Sequence, residues 1–216
     1  PETNDEATLN EIVGRFESVS TFKVKVGTDI NQDIWRLRAI RTLRPDAKIR
    51  IDVNGTWKPS DAATYIASIY KAIGDIEYVE QPCQTIEELR DLKSQLTVPV
   101  KIAADEVIRK ASDPFAINLD GAADIAVLKV QPLGGIARSL AIAAHHKKPV
   151  VVSSALESSV GLAYGVRLAQ AIEDLHYDCG LATHNLFSGE GVDVAPDRFD
   201  WWKNRIMRAA KVLESQ

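Results

Sequence analysis

A chain of 216 residues, 45% hydrophobic and 26% charged, is long enough to bury a sizeable core within one domain. Its net charge of −4 and pI near 5.6 argue against nucleic acid as the main partner, because phosphate binding demands a basic face. No apolar run approaches the roughly 20 residues of a membrane span, and the two cysteines, Cys83 and Cys179, lack metal-type spacing and read as reduced thiols of a cytoplasmic protein.

Residues 1–6 are polar. Leu9, Ile12, Val13 and Phe16 recur at helical spacing and predict an amphipathic helix over Ala7–Phe16. A strand at Thr21–Val26 ends at Gly27, and Asp29 is placed to cap a helix running to Leu43, which Pro45 stops. The same unit then recurs. Strand Lys48–Val53 leads through Asn54-Gly55 to a helix over Ser60–Ile73. Strand Ile76–Glu80 leads through Gln81-Pro82 to a helix over Ile86–Leu96. Strand Val100–Ala103 leads through Asp105-Glu106 to a short helix at Asp113–Leu119. Strand Ile125–Val130 leads through Pro132-Leu133-Gly134-Gly135 to a helix ending near His146. Strand Val150–Val152 opens the serine-rich loop Ser153–Ser159 and a helix to Ile172. A last strand at Cys179–Ala182 and a Trp-rich helix at Phe199–Val212 close the chain.

Seven apolar strands alternating with helices, at intervals of about 25 residues, predict an α/β protein whose parallel sheet is covered on both faces. A TIM-like (β/α) barrel takes eight strands. The expectation is therefore a (β/α)7β barrel, one domain over 1–216, lacking its first strand; a flavodoxin-like open sheet is the alternative. Pro1 is not an initiator residue, which suggests a processed or truncated product.

Barrels of this kind gather their chemistry at the carboxyl ends of the strands. In order, these ends carry Lys23 and Lys25, Asp52, Glu80, Asp105, Lys129, then Ser153 and Ser154. Lys23 and Lys25 lie two apart and share one face of a strand, where two cations repel and call for anions in front of them. Three converging carboxylates likewise repel unless a cation joins them, and hard oxygens without interleaved Cys or His suit Mg²⁺. Each feature has a plainer reading. Acids after strands cap helices, although glutamate is a poor cap and Pro82 follows Glu80 closely. A pair of lysines can be a solvated edge, and a serine in Ser153–Ser159 can simply cap the next helix rather than form an anion cradle. Lys129 ends a very apolar strand and needs a partner; facing a metal, it is a candidate base, since neighbouring positive charge favours a neutral amine. His145 and His146 read as surface residues at a helix end, and His184 as a possible pocket residue after the last strand. Gly134-Gly135 falls short of a phosphate-binding pattern.

The ordered set Lys-Val-Lys at 23–25, Asp-Val-Asn-Gly at 52–55, Glu-Gln-Pro at 80–82, Asp-Glu at 105–106 and Lys129 resembles the muconate-lactonizing subgroup of the enolase superfamily. Within it, the loop Ser-Ser-Ala-Leu-Glu-Ser-Ser at 153–159 is similar to that of o-succinylbenzoate synthases of menaquinone biosynthesis. The resemblance implies Mg²⁺ held by Asp52, Glu80 and Asp105, and Lys25 removing the proton α to a substrate carboxylate. It implies Lys129 opposite as stabiliser of the resulting anion, Lys23 as electrostatic support for Lys25, and Asn54, Ser153, Ser154 and Gly180 bordering the substrate. It also implies an N-terminal capping domain and a first barrel strand that this chain lacks. The implied partner is a small carboxylate, with no nucleic acid or membrane; oligomeric state is left open. N-succinylamino acid racemisation is a near relative of the implied reaction. Two readings of other kinds stand beside it: a Schiff-base aldolase using Lys129, and a barrel fragment serving as an interaction module.

Overall fold

The computed structural model describes residues 5–15 and 19–181. They fall into two compact units divided between Ala126 and Val127. The expected helix at Phe199–Val212, His184 and the end of the expected last strand lie outside the described residues.

In the first unit, β1 (Thr21–Lys25), β2 (Lys48–Asp52), β3 (Tyr78–Glu80), β4 (Ile102–Ala104) and the start of β5 (Ile125–Leu128) pair side by side, all parallel and in chain order. Helices α1 (Glu6–Gly14), α2 (Ile30–Leu43), α3 (Pro59–Ile73) and α4 (Ile86–Gln95) alternate with the strands. Local chemistry fixes their ends. Asp29 accepts from the amides of Asn31 and Gln32 at the start of α2, Pro59 sits at the first position of α3, and Gly74 ends that helix with φ of 80°, where a side chain would be strained. Thr85 and Glu88 close a reciprocal capping box on α4. One face of the sheet buries Ile49, Ile51, Val79 and Ile102 against Leu37, Ile40, Ile66, Ile69, Leu89 and Leu92 of the helices. That is the core, and it leaves the other face of the strands for polar groups.

Register arranges those groups. Lys25 pairs with Asp52, Asp52 with Glu80 and Glu80 with Ala103, so four strands present one level row. Asp105, two residues beyond Ala103, lies just past the end of that row. Lys23, Arg50 and Tyr78 form the row beneath. Ladder bonds continue past the strand ends: the amides of Val26, Val53 and Gln81 donate to the carbonyls of Asp52, Glu80 and Ala103 at 3.0, 3.1 and 2.8 Å.

In the second unit, β5 hands over to α6 (Val130–Leu133), α7 (Ile136–His146), β6 (Val150–Val152) and α8 (Ser159–Ala171). The Ser153 amide donates to the Leu128 carbonyl at 2.9 Å.

Several boundaries differ from expectation. Ile76 and Val100 are buried but precede the paired residues, because an apolar run reports burial and not ladder formation. The strand expected through Val130 stops at Leu128, and a four-residue turn of helix starts where a loop was expected. The helix expected over Asp113–Leu119 is a single 3-10 turn at Pro114–Ala116; seven residues without a periodic apolar face do not repay nucleation. Ahead of it, α5 (Glu106–Arg109) was not foreseen. The expected strand at Cys179–Ala182 is reduced, among the described residues, to one parallel bridge between Ser153 and Gly180.

Candidate active site

Two lysines and two acids converge at the ends of β1–β3. The Lys23 ammonium donates to Glu80 Oε1 at 2.9 Å, to Glu80 Oε2 at 3.0 Å and to Asp52 Oδ2 at 3.0 Å. Lys25 Nζ donates to the same Asp52 oxygen at 3.2 Å and to Asn54 Oδ1. Asp52, Glu80 and Asp105 are fully buried, whereas the Lys25 side chain is 60% exposed. Of the two lysines at this site, Lys25 is thus the more open to a solute, against 31% exposure for Lys23.

The electrostatics follow from burial plus crowding. Burial works against the Lys23 ammonium, but the Glu80 and Asp52 carboxylates outweigh it and hold its pKa well above the ordinary lysine value. Burial works against the Asp52 carboxylate too, and there Lys23 and Lys25 prevail and hold its pKa low. At Glu80 the balance goes the other way. Desolvation raises its pKa, Lys23 opposes, and repulsion from Asp52 and Asp105 adds to the rise. Of the three acids it is Glu80 on which burial and the neighbouring carboxylates press hardest.

Asp105 is the residue whose surroundings the sequence did not convey. It stands at the start of α5 without capping it; its Oδ1 accepts from Arg109 Nε at 3.0 Å. Arg109 also donates to Glu106 Oε1 at 2.5 Å, and despite the desolvation opposing it, the two carboxylates raise the pKa of its guanidinium. An arginine four residues after the aspartate on a helix was the available signal. Gln81 is a second such residue. It is fully buried with φ of 40°, and its Oε1 accepts from the amides of Asp105 at 2.9 Å and Val107 at 3.3 Å. Its Nε2 donates to the Cys83 carbonyl at 2.8 Å, and its own carbonyl accepts from the Gly55 amide at 2.6 Å. One neutral side chain and its peptide thereby tie together the loops that carry all three acids.

Among the described residues, no group of three His, Cys, Asp or Glu side chains stands in a metal-holding arrangement. The positive charge between Asp52 and Glu80 is the Lys23 ammonium, and Asp105 is turned to Arg109. The donor chemistry nevertheless fits a hard divalent cation: three buried carboxylates on neighbouring strand ends, two already converging on one cationic point, and the repulsion felt at Glu80. Asn54, expected beside the substrate, is engaged by Lys25 and donates through Nδ2 to Glu106 Oε1 at 3.2 Å.

The remaining expected residues belong to the second unit. Lys129 lies between β5 and α6, immediately after Leu128, and is buried. Ser153, Ser154 and Gly180 stand together: the Ser154 amide donates to the Gly180 carbonyl at 3.0 Å and the Gly180 amide to the Val152 carbonyl at 2.8 Å. A Cβ on Gly180 would stand 2.9 Å from Ser153 Oγ, so a larger residue there would have to push the serine hydroxyl aside. Ser158 stands before α8 without a side-chain cap.

The sequence model described as "Enolase C-terminal domain-like" matches residues 8–207. The chain belongs to that family. The o-succinylbenzoate synthases of Mycobacterium ulcerans and Mycobacterium tuberculosis are 42% and 41% identical over 96% of the chain, which covers 70% and 71% of their lengths. Solved structures of family members agree in fold. A dipeptide epimerase from Enterococcus faecalis, complexed with Mg and the dipeptide L-Leu-L-Tyr, gives a TM-score of 0.74 at 29% identity over 88% of the chain. An N-succinyl Arg/Lys racemase from Bacillus cereus gives 0.72 at 25% identity over 82% of it, and the muconate lactonizing enzyme of Pseudomonas putida 0.71 at 25% identity over 87%. The chain spans about half the length of these enolase-family structures, 53%, 49% and 54% respectively. No described helix of this family member is long and apolar enough to cross a membrane.

Proposed function

We propose that this chain is the catalytic barrel of an o-succinylbenzoate synthase, a lyase that removes water from 2-succinyl-6-hydroxy-2,4-cyclohexadiene-1-carboxylate in the route to menaquinone. The observation that carries the reading is the 42% identity over 96% of the chain to a curated synthase. The geometry supports it, because an exposed amine, Lys25, stands beside buried carboxylates.

In this reading Lys25 takes the proton α to the substrate carboxylate, and the C–H electrons pass into the carboxylate as an enediolate. The C–O bond then breaks, and the departing hydroxide takes the proton back from Lys25 and leaves as water. Lys23 neutralises Asp52 and Glu80 and keeps them in register with Lys25. Lys129 supplies positive charge to the enediolate, and Ser153, Ser154 and Gly180 border the succinyl tail. Asp52, Glu80 and Asp105 would hold Mg²⁺, which when bound supplies further positive charge for that anion, as in the enolase superfamily generally. An N-terminal capping domain, where the natural protein carries one, would close over the substrate.

A second reading, racemisation of N-succinylamino acids, is favoured by the likeness to the B. cereus racemase; there the proton returns to the carbon it left. The deciding experiment assays the full-length protein with Mg²⁺, and with a chelator as control, on both substrates. Dehydration that stops with the chelator supports the synthase. Racemisation alone supports the second reading, and inactivity on both overturns an enzymatic role of this type.

A further inference from the structure

We propose that Glu106 is a positioning residue for Lys25, acting through the side-chain amide of Asn54; this rests on Lys25 being the base. The backbone at Asn54-Gly55 is held on several sides. Asn54 has φ of 53° and Gly55 of 76°. The Asn54 amide donates to Asp52 Oδ1 at 3.2 Å, the Gly55 amide to Gln81 at 2.6 Å and the Trp57 amide to Pro82 at 3.1 Å. From this fixed turn the Asn54 side chain spans the gap between a cation and an anion, its Oδ1 accepting from Lys25 and its Nδ2 donating to Glu106.

A carboxamide is nearly symmetrical in shape but opposite in polarity at its two ends. Turned by half a rotation, Asn54 would present its NH₂ to the Lys25 ammonium, and the lysine would lose an acceptor. Shape does not prevent that rotation. Asn54 borders a cavity of about 320 Å³, shared with Gly55, Gln84, Glu106 and Lys110, so no wall of side chains closes on it from that side. What selects the orientation is the carboxylate of Glu106.

Glu106 also shows the cost of that placement. It is buried, its Oε1 serves both Asn54 and Arg109, and its Oε2 is buried with no hydrogen-bond partner among the described residues. A half-satisfied carboxylate in a dry position is unfavourable. Pairing with Arg109 alone does not call for it, since an ion pair on a short helix can turn towards solvent. Fixing Asn54 does call for it, because that contact exists only where the carboxylate reaches back across the loop.

The test is a set of variants in the full-length protein with saturating Mg²⁺, reading kcat, KM and magnesium affinity separately. Glu106→Ala should lower kcat about 10-fold or more while KM stays within about twofold. Glu106→Gln, whose carbonyl oxygen still accepts from Asn54, should restore most of the loss. If Glu106→Ala does not fold, Glu106→Asp carries the test: it keeps the charge beside Arg109 but withdraws from Asn54, and the same fall in kcat is expected. In an Asn54→Ala background, loss of Glu106 should cost nothing further, because the two act in series. An unchanged kcat, independent and multiplicative losses, or a parallel loss of magnesium affinity, which would route the effect through Asp105, each overturns the proposal. Lys25→Ala separates the two levels. If it abolishes turnover while the Glu106 variants match wild type, only the positioning role falls; if it leaves turnover intact, the base assignment itself is wrong.

Discussion

Replacing Lys23 with Met keeps the length of the stem and removes the charge. The ammonium makes three contacts of 2.9–3.0 Å to two acids that are 1–2% exposed. Removing one partner from a buried ion pair costs about 3–5 kcal/mol, because the remaining charge is left dry. Here the lower end applies: the Lys23 side chain is 31% exposed, and Lys25 stays 3.2 Å from Asp52. A loss of about 3 kcal/mol corresponds to a melting temperature lower by roughly 6–12 °C for a domain of this size. Thermal melts of the full-length protein near neutral pH with a chelator read this directly. Mg²⁺ should then recover more stability in Lys23→Met than in wild type, where the cation competes with the ammonium for the same oxygens. A variant as stable as wild type in chelator would refute the claim that Asp52 and Glu80 depend on Lys23. Equal magnesium shifts would refute the shared site.

Asp52→Asn should abolish magnesium binding measured by titration calorimetry, and retained affinity would remove Asp52 from the ligand set. Gly55→Ala places a Cβ 3.3 Å from the Gln84 Cα at a φ of 76°, so denaturant unfolding should show a loss of about 1–2 kcal/mol; an unchanged midpoint would contradict the close approach. Burial pushes the Cys83 thiol up to about 12 from an ordinary value of 9.0. With the folded pKa above the unfolded one, the unfolded thiol ionises first, and stability falls as pH rises above about 9, by up to about 1.4 kcal/mol per unit. Cys83→Ala should lack this component, so a stability difference from wild type that does not change between pH 8 and 10.5 would count against it.

The parts of the fold set by local chemistry were readable in the residues. Asp29 and Pro45 mark helix ends whatever the surroundings, and the spacing of Lys25, Asp52 and Glu80 put them on consecutive strand ends, where register then aligned them. The sequence did not reveal orientation. That Lys23 bridges two acids, that Asp105 faces Arg109 and that Asn54 points one end of its amide at Lys25 all depend on torsions set by the tertiary fold. Positive φ at Gln81 is equally invisible, since glutamine rarely adopts it, whereas an asparagine ahead of Gly55 is a residue that tolerates it. The capping alternative for Asp105 was settled only by the absence of any bond from its side chain to the helix amides.

Gln81 bears on how this scaffold can change. Because its amide and peptide join the turn at Gly55, the loop at Cys83 and the entry to α5, lengthening any one of those segments displaces the other two. At the other end of the helices the link after Gly74 is held differently, by one side chain: Arg41 donates to the Asp75 carbonyl at 3.3 Å and to the Pro45 and Ala47 carbonyls at 2.9 and 2.6 Å. Change in the groups that this sheet presents comes more readily from side-chain replacement near the tethered turns than from altering their length.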